Sequence, residues 1–358
     1  MKRVKMDAIG LIDKLRINRR LEHGEWVYLI NENSDDVRKY AAETARVISR
    51  EHFENNVYIR GIIEFSNICG NDCLYCGIRR SNRNAVRYRL TGDEILECCK
   101  KGYELGYRTF VFQSGEDAYW TDERLADILG AVKKLYPDCA VTLSIGERSA
   151  DSYKFLFDSG ADRYLLRHET ADPKHYSMLH PKEMSFRNRI NCLYELRNAG
   201  FQTGCGMMVG TPFQTAEYLA GDMEFMSLFK PEMAGIGPFI PQRDTPFGEY
   251  GAGSVERTLL LLSLTRIMLP EVLLPSTTAL GTLTGDGRLQ GILAGCNVVM
   301  PNLSPQNVRE KYMLYDNKQG VGLSAEEDLT LLKNGIEAIG YRVVTGRGDH
   351  KKFIGNEV

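Results

Sequence analysis

The sequence predicts an α/β chain folded as a (β/α)8 TIM-type barrel with a helical N-terminal extension. Short apolar runs rich in β-branched and aromatic residues recur near 58–65, 109–113, 140–144, 163–167, 202–209, 233–239, 273–278 and 297–301. Segments of helical spacing separate many of them, at 91–105, 123–135, 187–199, 216–228 and 255–268, and this alternation argues for βαβ units and a parallel sheet. Eight strands over about 245 residues match the size of such a barrel, and continuous apolar runs suit strands that helices cover. A doubly wound sheet is the weaker reading, because no Gly-x-Gly-x-x-Gly turn follows the first strand.

Residues 1–52 form the extension. Ile9, Leu11, Ile12 and Leu15, then Val37, Ala41, Ala45 and Ile48, fall at helical spacing, so this part is expected on the outside or lower rim of the barrel. Residues 53–345 form the barrel itself. The tail, 346–358, is short and charged, and its Arg347-Gly348-Asp349 reads as coincidence.

Lys plus Arg is 45 against Asp plus Glu 47, a formal charge of −2. That balance argues against a phosphate-tracking surface, so no nucleic acid partner is expected. With 43% hydrophobic and 26% charged residues the chain is of globular composition. No run reaches the length of a membrane-spanning helix; the nearest, Leu259 to Leu274, is broken by Arg266, Pro270 and Glu271. The basic start at Lys2, Arg3 and Lys5 is followed by Asp7, Asp13 and Lys14 rather than an apolar stretch. A cytoplasmic protein without membrane contact is expected. Nine cysteines, an odd number at low density, do not make a disulfide framework.

Directly after the first strand stand Cys69, Cys73 and Cys76, spaced CxxxCxxC among the loop-forming Asn67, Gly70, Asn71 and Asp72. The C-terminal end of a strand is where a barrel builds its active site. Four-iron clusters take cysteine thiolates, normally four, so three would leave one iron open. A structural zinc site is the alternative, but it needs a fourth ligand, and neither Cys nor His lies between Cys76 and Cys98. The other six cysteines, Cys98, Cys99, Cys139, Cys192, Cys205 and Cys296, read as small buried residues.

This loop resembles that of the radical S-adenosylmethionine (SAM) enzymes. The resemblance implies one 4Fe-4S cluster on Cys69, Cys73 and Cys76, an open iron that chelates SAM, and reductive cleavage of SAM to a 5′-deoxyadenosyl radical. Tyr75 stands where an aromatic residue commonly precedes the last cysteine. A radical of this kind needs a dry pocket.

Later strand ends supply further candidates. The second ends in Gln113-Ser114-Gly115-Glu116-Asp117, where the resemblance implies that Ser114, Gly115 and Glu116 hold the methionine amino group. The third ends in Thr142-Leu143-Ser144-Ile145-Gly146-Glu147, with alternating polar side chains directed into the barrel. The fourth carries Arg163 and Arg167, which strict alternation puts on one face, turned into the barrel. Two buried guanidinium groups need anions, from carboxylate-bearing ligands or from acids such as Glu116 and Glu147. His168 is expected to be a hydrogen-bonded packing residue.

The stretches IIEFSN, CLYCGIRR, QSGED, DRYLLRHETA, GIGPFIP and NVVMPN, in order from about Val57 to the end of the barrel, resemble the FeFe-hydrogenase maturase family HydE. The resemblance implies that Tyr75, Arg167, Glu169 and Arg189 lie around SAM, with Arg189 as the carboxylate partner. It also implies that Gln113, Arg163, Thr277, Thr278 and Tyr312 line an inner cavity for small anionic or sulfur-containing ligands. The activity implied is the processing of a cysteine-ligated iron carbonyl cyanide synthon in assembly of the hydrogenase H-cluster diiron site. Other hydrogenase maturases and a one-electron reductant would be its partners. Some members carry a second cluster near the C-terminus; no cysteine follows Cys296 and the corresponding loop reads Asp316-Asn317-Lys318-Gln319-Gly320, so a single cluster is expected. Competing readings are a methylornithine synthase or biotin-synthase-like radical enzyme, and a non-catalytic carrier of an iron synthon.

Overall fold

The computed structural model describes residues 7–354; Lys2, Arg3 and Lys5 lie outside them. Three helices come first, Ala8–Asn18, His23–Asn31 and Asp35–Phe53. Their apolar stripes, among them Leu15, Trp26, Ala41 and Ala45 at 0% exposure, pack on the outer helices Ala216–Phe229 and Val255–Met268. Burying an aliphatic or aromatic side chain of this kind stabilises by about 1.5–3 kcal/mol, which fastens the extension to the barrel wall.

Eleven strands follow in chain order: β1 (Asn56–Ile59), β2 (Gly61–Ser66), β3 (Thr109–Ser114), β4 (Ala140–Ser144), β5 (Arg163–Leu165), β6 (Gln202–Cys205), β7 (Met208–Val209), β8 (Met233–Ala234), β9 (Gly237–Pro238), β10 (Val298–Val299) and β11 (Arg342–Val344). All ladders between them are parallel. The main sheet runs β2-β3-β4-β5-β6-β8. Single bridges carry the ring onward: Met233 to Leu273, Pro275 to Val298, and Asn302 back to Ile62. The eight positions expected of a (β/α)8 barrel are therefore all present. The seventh, near 273–278, forms bridges but no regular strand, and Thr278 already opens the helix Thr278–Leu283.

The helices between strands are held at their starts by short side chains. Thr91 and Glu94 form a reciprocal cap on Gly92–Glu104, while Thr121, Ser149 and Ser185 each accept a backbone N–H at the start of the next ones. Below the barrel, β1 pairs with both β10 and the late strand β11, so the C-terminal part is wired into the floor. No helix among the described residues is long and apolar enough to cross a membrane.

Register decides which side chains share a level. Gln113 pairs with Ser144 at the mouth, whereas Thr142 pairs with Arg163, and Arg163 with Gln202, nearer the floor.

Candidate active site

The segment from Asn67 to Leu90 is a long loop at the mouth, and polar side chains fix its shape. Asn67 donates to the carbonyls of Val86 (2.8 Å) and Lys311 (2.6 Å) and accepts from Tyr88 N–H. The Arg87 guanidinium donates to the carbonyls of Asn67, Ile78, Arg79 and Asn82. Asp72 accepts from Arg79 Nε at 2.7 Å and from Ser81, which holds its carboxyl well below the usual range. Asp117 takes a two-pronged contact from Arg89 and a third bond from Ser66.

On this frame sit Cys69, Cys73 and Cys76, all half-buried and free. The backbone N–H groups of Asn71 and Glu116 donate to Cys69 Sγ, each at 3.4 Å. Gly115 is where the second strand's turn meets the loop. A Cβ there would lie 2.4 Å from Ile68 O and 2.6 Å from Cys69 Cβ, so only glycine allows that approach. Burial, and next the neighbouring thiol, push Cys76 up to about 12; burial also raises Cys69 and Cys73. The three thiols influence one another electrostatically, yet no three His, Cys, Asp or Glu side chains among the described residues gather around one point as ligands of a single ion. A structural zinc needs that convergence. Thiolates that each take a different iron do not.

Around the loop, Tyr75 hydroxyl lies 3.1 Å from His180 Nε2. Arg189, on the helix Phe186–Ala199, is buried with Nε 2.7 Å from Glu147 Oε1, although neither atom completes a well-aligned hydrogen bond. Burial opposes its charge, but Glu147, Tyr176 and Glu116 outweigh burial and raise its pKa. Glu116 accepts from Glu147 N–H at 2.9 Å, and Ser114 hydroxyl turns to Gly115 O. Arg167 Nε meets Glu169 Oε1 at 3.1 Å, while Glu169 Oε2 is sequestered without a partner. Thr277 Oγ1 is likewise without a partner. Tyr312 is buried beneath Lys318, whose Nζ is 5.1 Å from its ring.

The structure corrects four expectations. Arg163 and Arg167 do not work as a pair: β5 ends at Leu165, so alternation stops before Arg167. Arg163 does not present an open charge to a cavity ligand. It lies at the first position of β5 with Nη1 on Thr109 (3.0 Å), Nη2 on Arg347 O (2.7 Å) and Asp349 (2.5 Å), and Nε near Gln202. Arg347-Gly348-Asp349 is accordingly no coincidence but the partner of a buried arginine. Neither Glu116 nor Glu147 answers these two arginines; Glu147 answers Arg189.

Three residues escaped the sequence reading. Glu64, the lone acid of the first apolar strand, is buried against Lys318 and Asn302. A single acid in such a run was a visible signal; Lys318, in an unpatterned loop, gave none. Asp222 is the third, fully buried beside His168, which packs and accepts a hydrogen bond as expected.

Residues 63–226 match the model of the radical SAM superfamily. The FeFe hydrogenase maturase subunit HydE of Thermotoga maritima is 46% identical over 271 residues, covering 76% of this chain and 77% of that protein. A 3-methylornithine synthase of Methanosarcina barkeri is 28% identical over 315 residues, 87% of each. Among solved structures, methylornithine synthase superimposes with a TM-score of 0.80 at 25% identity, covering 93% of this chain and 97% of that one. A barrel with three cysteines at the mouth of its first strand and this degree of identity have one common explanation: the chain belongs to the HydE family of FeFe-hydrogenase maturases and is a radical SAM enzyme.

Proposed function

We propose that the chain holds one 4Fe-4S cluster on Cys69, Cys73 and Cys76, binds SAM beside it, and processes a cysteine-ligated iron carbonyl cyanide synthon during assembly of the FeFe-hydrogenase diiron site. The observation that carries this reading is the cysteine loop: three free thiols on a rigid frame, with two backbone N–H groups already turned to Cys69 Sγ. The donor set fits an iron-sulfur cluster in number, type and spread. When bound, such a cluster with one iron free of cysteine supplies the electron that breaks a sulfonium C–S bond of SAM.

The surrounding residues would then divide the work. Arg189 offers a fixed, buried positive charge for the SAM carboxylate, and Glu169 Oε2 an unused acceptor for a hydroxyl or ammonium. Ser114, Gly115, Glu116 and Ser144 line the adjoining strand ends, and Tyr75 closes the side near His180. Thr277 and Thr278 would donate hydroxyl protons to an anionic, organometallic substrate, with Gln113 and Tyr312 beside them. In this division 53–345 carry the chemistry, 1–52 brace the wall, and 346–358 form the tail. Other hydrogenase maturases would supply and receive the iron complex, a one-electron carrier would reduce the site, and the setting would be cytoplasmic.

Anaerobic reconstitution followed by dithionite, SAM and chromatography for 5′-deoxyadenosine tests the core of the reading. A cluster-loaded chain that releases none is a carrier, not an enzyme. Similarity to methylornithine synthase over 87% of the chain favours a second reading. Conversion of lysine to methylornithine would establish it, and maturation of an apo-hydrogenase would exclude it.

A further inference from the structure

Glu169 is one of few non-glycine residues in the left-handed region among the described residues, at φ 65°. A left-handed backbone strains a residue with a Cβ and persists only where the surroundings over-determine it. Those surroundings can be named. Glu169 N–H donates to Gly206 O at 3.1 Å, and Gly206 N–H donates back to His168 Nδ1 at 3.2 Å. Gly206 must be glycine for this exchange, since a Cβ there would lie 2.0 Å from Gly235 O.

Because His168 Nδ1 accepts, it carries no proton, and the ring proton sits on Nε2. Nε2 faces Asp222 Oδ1 at 3.3 Å, close enough for an electrostatic contact although the pair does not complete a well-aligned hydrogen bond. The same Oδ1 accepts from Ala171 N–H, two residues beyond Glu169. Asp222 lies on the helix Ala216–Phe229, and Phe225, one turn on, packs its ring on His168 with centroids 4.8 Å apart. His168 and Asp222 are each 0% exposed. One buried carboxylate from the outer helix thus meets both ends of the turn that carries Glu169, by a charge contact at His168 before it and a hydrogen bond from Ala171 after it.

Resting on the functional reading above, we propose that Asp222 and His168 are positioning residues that aim Glu169 at SAM. Glu169 Oε1 is taken by Arg167, and its buried Oε2 has no protein partner; the turn delivers that atom to the ligand. A buried carboxylate whose second oxygen, Oδ2, also stays unpartnered is costly to keep for packing alone. It is accounted for if the turn's geometry is what it secures.

The test is a double-mutant cycle read by calorimetric titration of SAM into the cluster-loaded, unreduced protein. D222N should weaken SAM about ten-fold in the otherwise unchanged chain but less than about two-fold in an E169A background, the signature of coupled residues. Iron content per chain should be equal in all four proteins. H168Q keeps an acceptor for Gly206 and a donor for Asp222 and should stay within about three-fold, whereas H168F, which keeps neither, should match D222N. If D222N does not fold, the H168Q and H168F pair in the two Glu169 backgrounds reads the same coupling. Equal losses with and without Glu169, or unchanged affinity in H168F, overturn the inference alone. An unsubstituted chain that binds cluster but no SAM overturns it together with the functional reading.

Discussion

Arg163 and Asp349, 186 residues apart in the chain, meet at the floor of the barrel with Nη2 2.5 Å from Oδ1. Asp349 is also shared with Gln202 and Arg347, and Arg347 continues to Asp162. The tail therefore closes the floor by supplying the counter-charge of a guanidinium that is 0% exposed.

Removing that counter-charge should be expensive. Asp349→Ala leaves Arg163 buried and unpaired, so unfolding stability should fall by about 3–5 kcal/mol, read as a lower urea midpoint. Arg163→Met in the same chain should recover part of the loss, because no uncompensated charge remains. A further loss in the double variant would show that the pair is not the source.

The same pair sets an acid limit. Burial opposes the Asp349 charge, but Arg163 and then Arg347 outweigh it and hold the carboxyl well below its ordinary range. A depressed folded pKa means that the stabilisation is complete above the unfolded value of about 4 and is lost as pH falls below it. The stability gap between the unsubstituted chain and Asp349→Asn should thus be constant from neutral pH down to about pH 5 and narrow in stronger acid. A gap that widens in acid would contradict the assignment.

Anaerobically reconstituted protein should bind about four irons per chain, lost when Cys69, Cys73 and Cys76 are replaced by Ala together. About eight irons would refute a single cluster. Since burial raises all three thiols, with Cys76 pushed up to about 12, ligation must release protons. Assembly followed by iron-sulfur absorbance should be faster at mildly alkaline than at neutral pH.

Arg189→Ala should weaken SAM binding by roughly ten- to a hundred-fold, the worth of a charge-assisted bond in a closed pocket, while cluster content stays the same. Titration of SAM into the unreduced variant decides it. Unchanged affinity would leave Arg189 as the structural partner of Glu147.

Thr277→Val with Thr278→Val removes two hydroxyl donors at nearly constant volume. SAM cleavage without substrate should stay near normal, whereas substrate binding should lose about 2–4 kcal/mol and maturation of an apo-hydrogenase should collapse. Maturation at the unsubstituted rate would take these residues out of the substrate site.

Apolar runs and helical spacing were enough to read the barrel, the helical character of the N-terminal extension and the loop with Cys69, Cys73 and Cys76, because each is written in neighbours along the chain; that the extension holds a separate middle helix, His23–Asn31, was not read. Local periodicity follows directly from backbone geometry. Even the six remaining cysteines were legible as small buried residues, and all six are buried. Where alternation was carried past the end of a three-residue strand, to Arg167, it failed, since side-chain direction is set only while the ladder lasts.

Which acid answers which base was decided by the tertiary structure. Lys318 reaches Glu64 across 254 residues, Arg163 reaches Asp349 across 186, and Asp222 meets His168 from a helix on the outer layer. Nothing in the local sequence around these residues marks the partner. A buried charge takes whichever opposite charge barrel closure brings within a few ångströms, and that proximity exists only once the eight positions have closed into a ring.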